Sequence, residues 1–337
     1  MKAFSAVVFA IAIAGCSGAM APNPAAVPLN GSQMSGAKVQ LQTLDVPISQ
    51  FPAATATLLT GIRGNLITAF YVGSGGADVA VTYDQNSGVW TPFQFPGATS
   101  TSAYGPDLTT LGFRFVGSYT NFGSKHSHGF LYDSVSSHYT NLDVPPGFCS
   151  SGCNETIAHS IYGDVVYNVV GNYDAVTSKN LDASGYPATG HAFLYDSISS
   201  AFKTIDVSGA VSTTAYGIWT DRSTTAVAGG YTDKSGTHAY VRSLNSNKEV
   251  VYDSPNSLDS HFEGITGAGG PGNYNLCGDF VNVNSKSVHG FFLPVRNWKA
   301  GSPVIIGSLS ANSVYARTVI GVYKGAGQND GFIAQIP

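Results

Sequence analysis

Short runs of aromatic and β-branched residues, each bounded by Gly, Ser or Asp, recur along almost the whole chain. That alternation of apolar runs and turn residues predicts strands rather than helices. The run His128-Gly-Phe-Leu-Tyr-Asp133 returns as His191-Ala-Phe-Leu-Tyr-Asp196, then as His238-Ala-Tyr-Val241, His289-Gly-Phe-Phe292 and finally Asp330-Gly-Phe-Ile333. Phe130-Leu-Tyr132 and Phe193-Leu-Tyr195 offer apolar side chains to both faces of a strand, as a strand packed between two neighbours does. A unit of roughly 50 residues repeats, which points to a propeller, solenoid or array. One unit cannot bury both of its apolar faces, so the fold belongs to the whole array.

Three landmarks recur in order. The first is a Gly after an aromatic or polar residue: Thr60-Gly61, Tyr104-Gly105, Tyr162-Gly163, Tyr216-Gly217, Glu263-Gly264 and, degenerately, Tyr315-Ala316. The second is a strand ending in an aromatic, as in Val116-Gly-Ser-Tyr119 or Cys277-Gly-Asp-Phe280. Its Gly residues (Gly117, Gly171, Gly229 and Gly278) mark a bulge or a close backbone approach. The third is the His strand, with Val79 in the His place in the first unit. A fourth strand leads to Leu142-Asp-Val-Pro145, Ile205-Asp-Val207 and their equivalents, so Asp143, Asp206 and Asp253 take matched, structural positions. The last unit runs to Pro337 without such a strand. Leu41-Gln-Thr-Leu-Asp-Val-Pro47, before the first unit, matches Tyr139-Thr-Asn-Leu-Asp-Val-Pro145. A circular array would use this segment to complete its last sheet. The pattern therefore predicts an all-β domain over 38–337: a six-bladed β-propeller with four antiparallel strands per blade, the N-terminal strand closing the last blade.

Composition fits this. Of 337 residues only 11% are charged, Gly numbers 40, and the three Glu are Glu155, Glu249 and Glu263. The net charge of -4 and the lack of any basic run give no footprint for nucleic acid. Residues 1–15 form an expected signal peptide, a short positive end followed by an apolar stretch too short to span a bilayer. Ile13-Ala14-Gly15-Cys16 resembles the lipobox of bacterial lipoproteins. That resemblance implies a lipidated Cys16, a flexible tether over 16–37, export and anchoring to a membrane at the periplasmic or cell-surface side. Cys149 and Cys153 bracket a short loop and are expected to form a disulfide, whereas Cys277 reads as a buried, inert thiol.

Candidate chemistry is sparse. No Walker loop, zinc-protease helix motif, nucleophile elbow or EF-hand loop is present. The repeated His128, His191, His238 and His289 cannot share an ion. Strand spacing puts a third strand at least ~10 Å from the axis, whereas zinc needs each nitrogen at about 2.1 Å. No metal site and no cofactor are expected, and these His are assigned to ring-nitrogen hydrogen bonds. The acids and imidazoles that depart from the repeat are Glu155, His159, Asp259, His261 and Glu263, all near the start of first strands and so near the channel mouth. They are the candidates for acid–base catalysis. On the same loop-rich face lie the irregular stretches 145–158, 174–190 and 267–274, where Tyr173, Tyr186 and Tyr274 are candidates to stack on a glycan or peptide. The expected function is a monomeric binding or scaffolding module for a glycan, peptide or protein, with an extracytoplasmic hydrolase or lyase as the alternative.

The His-Ala-Phe repeats of a chain that carries an export signal resemble the bacterial extracellular HAF-repeat family. The resemblance covers about residues 39–337, is strongest in units two to four, and implies fold and location only.

Overall fold

The computed structural model describes residues 39–124, 126–149, 153, 155–176, 186–187, 189–325 and 328–337. The expected lipidation site Cys16 and the tether lie outside the described residues. Among those residues the fold is all-β and propeller-like, with one 3-10 turn at Pro146–Phe148 and no α-helix.

The strands form antiparallel groups that follow chain order. A short β1 (Gln42–Thr43) precedes the first group, β2 (Ala54–Arg63), β3 (Leu66–Gly73), β4 (Asp78–Asp84) and β5 (Val89–Phe93). The second is β6 (Ala98–Leu108), β7 (Phe113–Asn121), β8 (His128–Asp133) and β9 (His138–Asn141). Next come β10 (Thr156–Tyr162), β11 (Asn168–Val176), β12 (Thr189–Asp196) and β13 (Ala201–Thr204), then β14 (Ser212–Asp221), β15 (Thr224–Thr232), β16 (Thr237–Ser243) and β17 (Glu249–Tyr252). They are followed by β18 (Ser257–Gly267), β19 (Tyr274–Asn282) and β20 (Val288–Arg296), which pairs with both β21 (Lys299–Ala300) and β22 (Val304–Ile306). Single parallel bridges, Gly190 to Ser212 and Thr237 to Asp259, join these last three groups into one thirteen-stranded sheet. The final group is β23 (Ser310–Tyr315), β24 (Thr318–Lys324) and β25 (Asn329–Gln335), and β1 is its fourth strand.

The seam follows the sequence match residue by residue. Leu44 N–H donates to the Gly331 carbonyl at 2.9 Å, as Leu142 does to Gly129 at 2.8 Å and Ile205 to Ala192 at 2.9 Å. Asp45 Oδ1 accepts the Gly331 N–H at 2.8 Å, just as Asp143 accepts from Gly129 at 3.0 Å and Asp206 from Ala192 at 2.8 Å. Val46 and Phe51 then bury among Leu59, Ile62 and Ile320, joining the first group to the last. The first strands pack in succession: β2 on β6, β6 on β10, β10 on β14, β14 on β18, β18 on β23, and β23 back on β2.

One joint recurs between groups and explains the Asp-Val signature. The Asp holds the third-strand His: His128 Nδ1 lies 2.8 Å from Asp143, His191 Nδ1 2.6 Å from Asp206 and His238 Nδ1 2.8 Å from Asp253. Each imidazole also lies against the aromatic that ends the second strand, at 5.1 Å for Tyr119, 5.2 Å for Tyr173 and 5.1 Å for Tyr231. The N–H of the residue after the Asp donates to a hydroxyl at the start of the next first strand. The bonds are Val46 to Thr57 (3.2 Å), Val144 to Thr156 (3.1 Å), Val207 to Thr213 (3.1 Å) and Ser254 to Ser260 (2.9 Å). This hydroxyl is a landmark that the sequence reading missed. The second-strand glycines allow a close approach, as expected: a Cβ on Gly229 would overlap the Thr214 carbonyl, and one on Gly278 the His261 carbonyl.

Candidate functional site

Every first strand carries a β-bulge, and the bulged position decides what reaches the middle of the molecule. The register slips at Thr60, Tyr104-Gly105, His159, Tyr216, Glu263 and Asn312. A bulge re-aims a side chain out of the pleat. Here it brings Thr60, Tyr104, His159, Tyr216, Glu263 and Asn312 together around one cavity of about 10 Å3. That is room for about one water molecule. The landmark register is corrected by this geometry. His159-Ser160 and Asn312-Ser313 hold the bulge in the third and last groups, whereas Tyr162 and Tyr315 stand three residues further on, near or at the strand ends.

Those ends form a second layer. Arg63 is buried there, its Nε 3.3 Å from Asp107 Oδ1 and its guanidinium over Trp219, Tyr162 and Tyr315 at 4.5, 5.2 and 6.0 Å. Burial depresses the Arg63 pKa, and the Asp107 carboxylate opposes that shift. Asp107 also accepts N–H groups from Gly163 at 2.6 Å and Leu108 at 3.1 Å.

The five catalytic candidates separate. Glu155 is half-buried, and burial pushes its carboxyl up to about 7, but it does not line the cavity. Asp259 is buried and accepts the Val281 N–H at 3.2 Å, a structural bond. His159 Nε2 lies 2.5 Å from Asn172 Oδ1, and burial takes its pKa down to about 4, so it is neutral near pH 7. His261 and Glu263 share one face of β18, with His261 Nε2 2.8 Å from Glu263 Oε1. Asp279, directly across from His261 on β19, brings its Oδ2 within 3.9 Å of the same nitrogen. Burial opposes charge on His261, but the Glu263 and Asp279 carboxylates outweigh it and push the imidazole up to about 9; burial raises Asp279 well above the ordinary carboxylate range. The sequence reading missed Asp279, which sits inside the second-strand landmark Cys277-Gly-Asp-Phe280.

The tyrosine assignments are corrected. Tyr173, Tyr186 and Tyr274 are 2%, 1% and 0% exposed, so none offers a face on which a ligand could stack. The Tyr173 hydroxyl lies 2.6 Å from Thr204 Oγ1, and Tyr274 packs edge-on against Trp298 at 5.4 Å. Tyr186 comes from the connection between β11 and β12 and turns inward, its ring 5.5 Å from His261 and its hydroxyl 3.2 Å from Thr214 Oγ1. These rings are large enough to fill gaps between groups, and burial of that area outweighs a solvent-facing role. Cys149 and Cys153 are disulfide-bonded, and Cys277 is a buried free thiol.

No family model and no curated protein sequence matches the chain. Solved structures do. The Hadza microbial sialidase Hz136 aligns with a TM-score of 0.53 at 8% identity, covering 91% of this chain and 71% of that one. The SapL1 lectin, solved with alpha methyl fucoside, aligns at 0.48 and 11% identity over 84% of this chain and 93% of that one. YjhT aligns at 0.48 and 11% over 85% and 94%. At these identities the sialidase likeness speaks for the fold alone.

Proposed function

We propose that the chain is a closed six-bladed propeller of the HAF-repeat kind, exported and anchored through a lipidated Cys16, and that it works as a rigid binding module for a glycan, peptide or protein. The cyclic packing of the first strands and the pairing of β1 with β25 support closure. One observation carries the functional part. Of the candidates for acid–base chemistry, His159, His261 and Glu263 are buried, and the cavities that His159 and Glu263 line measure about 10 and 20 Å3. Ligand pockets run from about 300 Å3 upward, so among the described residues these two cavities admit no sugar or peptide, which speaks against a hydrolase built on His159 and Glu263.

Concavities of ligand size lie at the edges of the groups instead. One, of about 550 Å3, runs between β13 and the β16–β17 turn and carries Lys203, Arg242, Lys248 and Glu249. Its mixed charges suit a polar ligand with hydroxyl or carboxylate groups. The test applies residues 39–337 to a glycan array and to envelope extracts, with chromogenic glycosides assayed in parallel. Binding without turnover, weakened about tenfold by Lys203→Ala with Lys248→Ala (about 1.4 kcal/mol), supports the reading. Turnover that Glu263→Gln abolishes overturns it. Labelling of the full chain in cells with a clickable fatty acid, lost in Cys16→Ala, tests the anchor separately.

A further inference from the structure

We propose that His261, Glu263 and Asp279 form a structural site for one first-row divalent cation, Zn2+ or Mn2+, held inside the fold and binding no substrate. Three donors converge there: one ligand atom from each of His261, Glu263 and Asp279 lies within 4.8 Å of the other two. Two donors on one ion, each at about 2.1 Å, cannot be more than about 4.2 Å apart. The spans from His261 Nε2, 2.8 Å to Glu263 and 3.9 Å to Asp279, meet that limit.

The donors turn to one another. His261 and Asp279 are fully buried and Glu263 is 8% exposed, and Nε2, Oε1 and Oδ2 have no hydrogen-bond partner outside the cluster. Burying polar and charged groups in that state is costly unless something else satisfies them. A divalent ion does so in one step: two carboxylates and a neutral imidazole around it carry no net charge.

The surroundings orient the donors. Asp279 Oδ1 accepts the Ala311 N–H at 2.8 Å, which leaves Oδ2 toward the cluster, the kind of outer support that fixes a ligating carboxylate. The rings of Tyr186 and Tyr216 lie 5.5 and 6.0 Å from the imidazole. The repeat does not require these residues. The cross-strand pair His261–Asp279 is Leu58–Phe70 in the first group, Ile157–Asn172 in the third and Ser310–Val322 in the last. One imidazole with two carboxylates suits Zn2+ or Mn2+ better than Ca2+, which takes six to eight oxygens.

The site is enclosed, so the ion enters during folding. The purified full chain is therefore unfolded in denaturant with EDTA and refolded with EDTA, Zn2+ or Mn2+; bound metal is then counted by mass spectrometry and Tm measured. The proposal expects about one equivalent of one metal per chain. It also expects a Tm about 4 °C higher than in EDTA when the free metal is a hundredfold above its Kd. Glu263→Gln with Asp279→Asn should lose both the metal and the shift. Wild-type protein that refolds without metal and shows no shift overturns the proposal, and so does metal retained by the double variant. The wild-type arms decide the matter even if the variant fails to fold.

Discussion

Arg63 gives the sharpest energetic test of the sealed middle. Its guanidinium is paired with Asp107 at 3.3 Å, both side chains are about nine-tenths buried, and three aromatic rings surround it. Arg63→Ala removes one partner of a buried ion pair, which costs about 3–5 kcal/mol, and removes a cation–π contact worth about 0.5–2 kcal/mol. Asp107 keeps its N–H donors from Gly163 and Leu108, so the loss belongs near the lower end, about 4 kcal/mol in all. For some 300 residues at about 2.1 cal/mol/K each, unfolding entropy near Tm is roughly 0.6 kcal/mol/K, so Tm should fall by about 6 °C. Calorimetry at pH 7 reads this directly. Arg63→Met with Asp107→Asn should recover much of the loss, because neither charge is then left alone. A fall of less than 1 °C in Arg63→Ala would refute the buried pair.

Three further outcomes follow from the same geometry. His159 has its pKa lowered to about 4, so the folded state favours the neutral ring. The stability this gives is present above pH 6.5 and is lost as pH falls toward 4, and His159→Gln should flatten that stretch of a urea-midpoint profile. Gly229→Ala sets a Cβ into the Thr214 carbonyl and should lower stability by at least about 2 kcal/mol, seen as a lower urea midpoint or insoluble expression. Asp143→Ala removes bonds to both His128 and Gly129 and should cost about 1–3 kcal/mol, more than His128→Ala, whose ring is part-exposed.

Much of the fold was legible because the joints repeat. The Asp-Val segment and the His strand recur since each junction between groups makes the same bonds, and Leu41 to Pro47 was recognisable as a displaced copy for the same reason. The middle was less legible. The bulged residue faces the shared cavity rather than a repeated neighbour, so its identity drifts through Thr, Tyr, His, Glu and Asn, and a Tyr-Gly consensus picked Tyr162 and Tyr315 instead. Tyr186 looked like a loop residue open to ligand because sequence does not show a loop turning its ring inward. Asp279 was hidden for a different reason: it occupies a landmark position, and only the cross-strand register sets it beside His261.

Amide hydrogen exchange of residues 39–337 tests the docking of the N-terminal segment against the last hairpin with an internal control. Leu44 and Val46 make the bonds that Leu142 and Val144 make in the interior of the chain. The four amides should be protected to a similar degree, within about tenfold in exchange rate, or about 1.4 kcal/mol. Coil-like exchange at Leu44 and Val46 beside protected Leu142 and Val144 would contradict it.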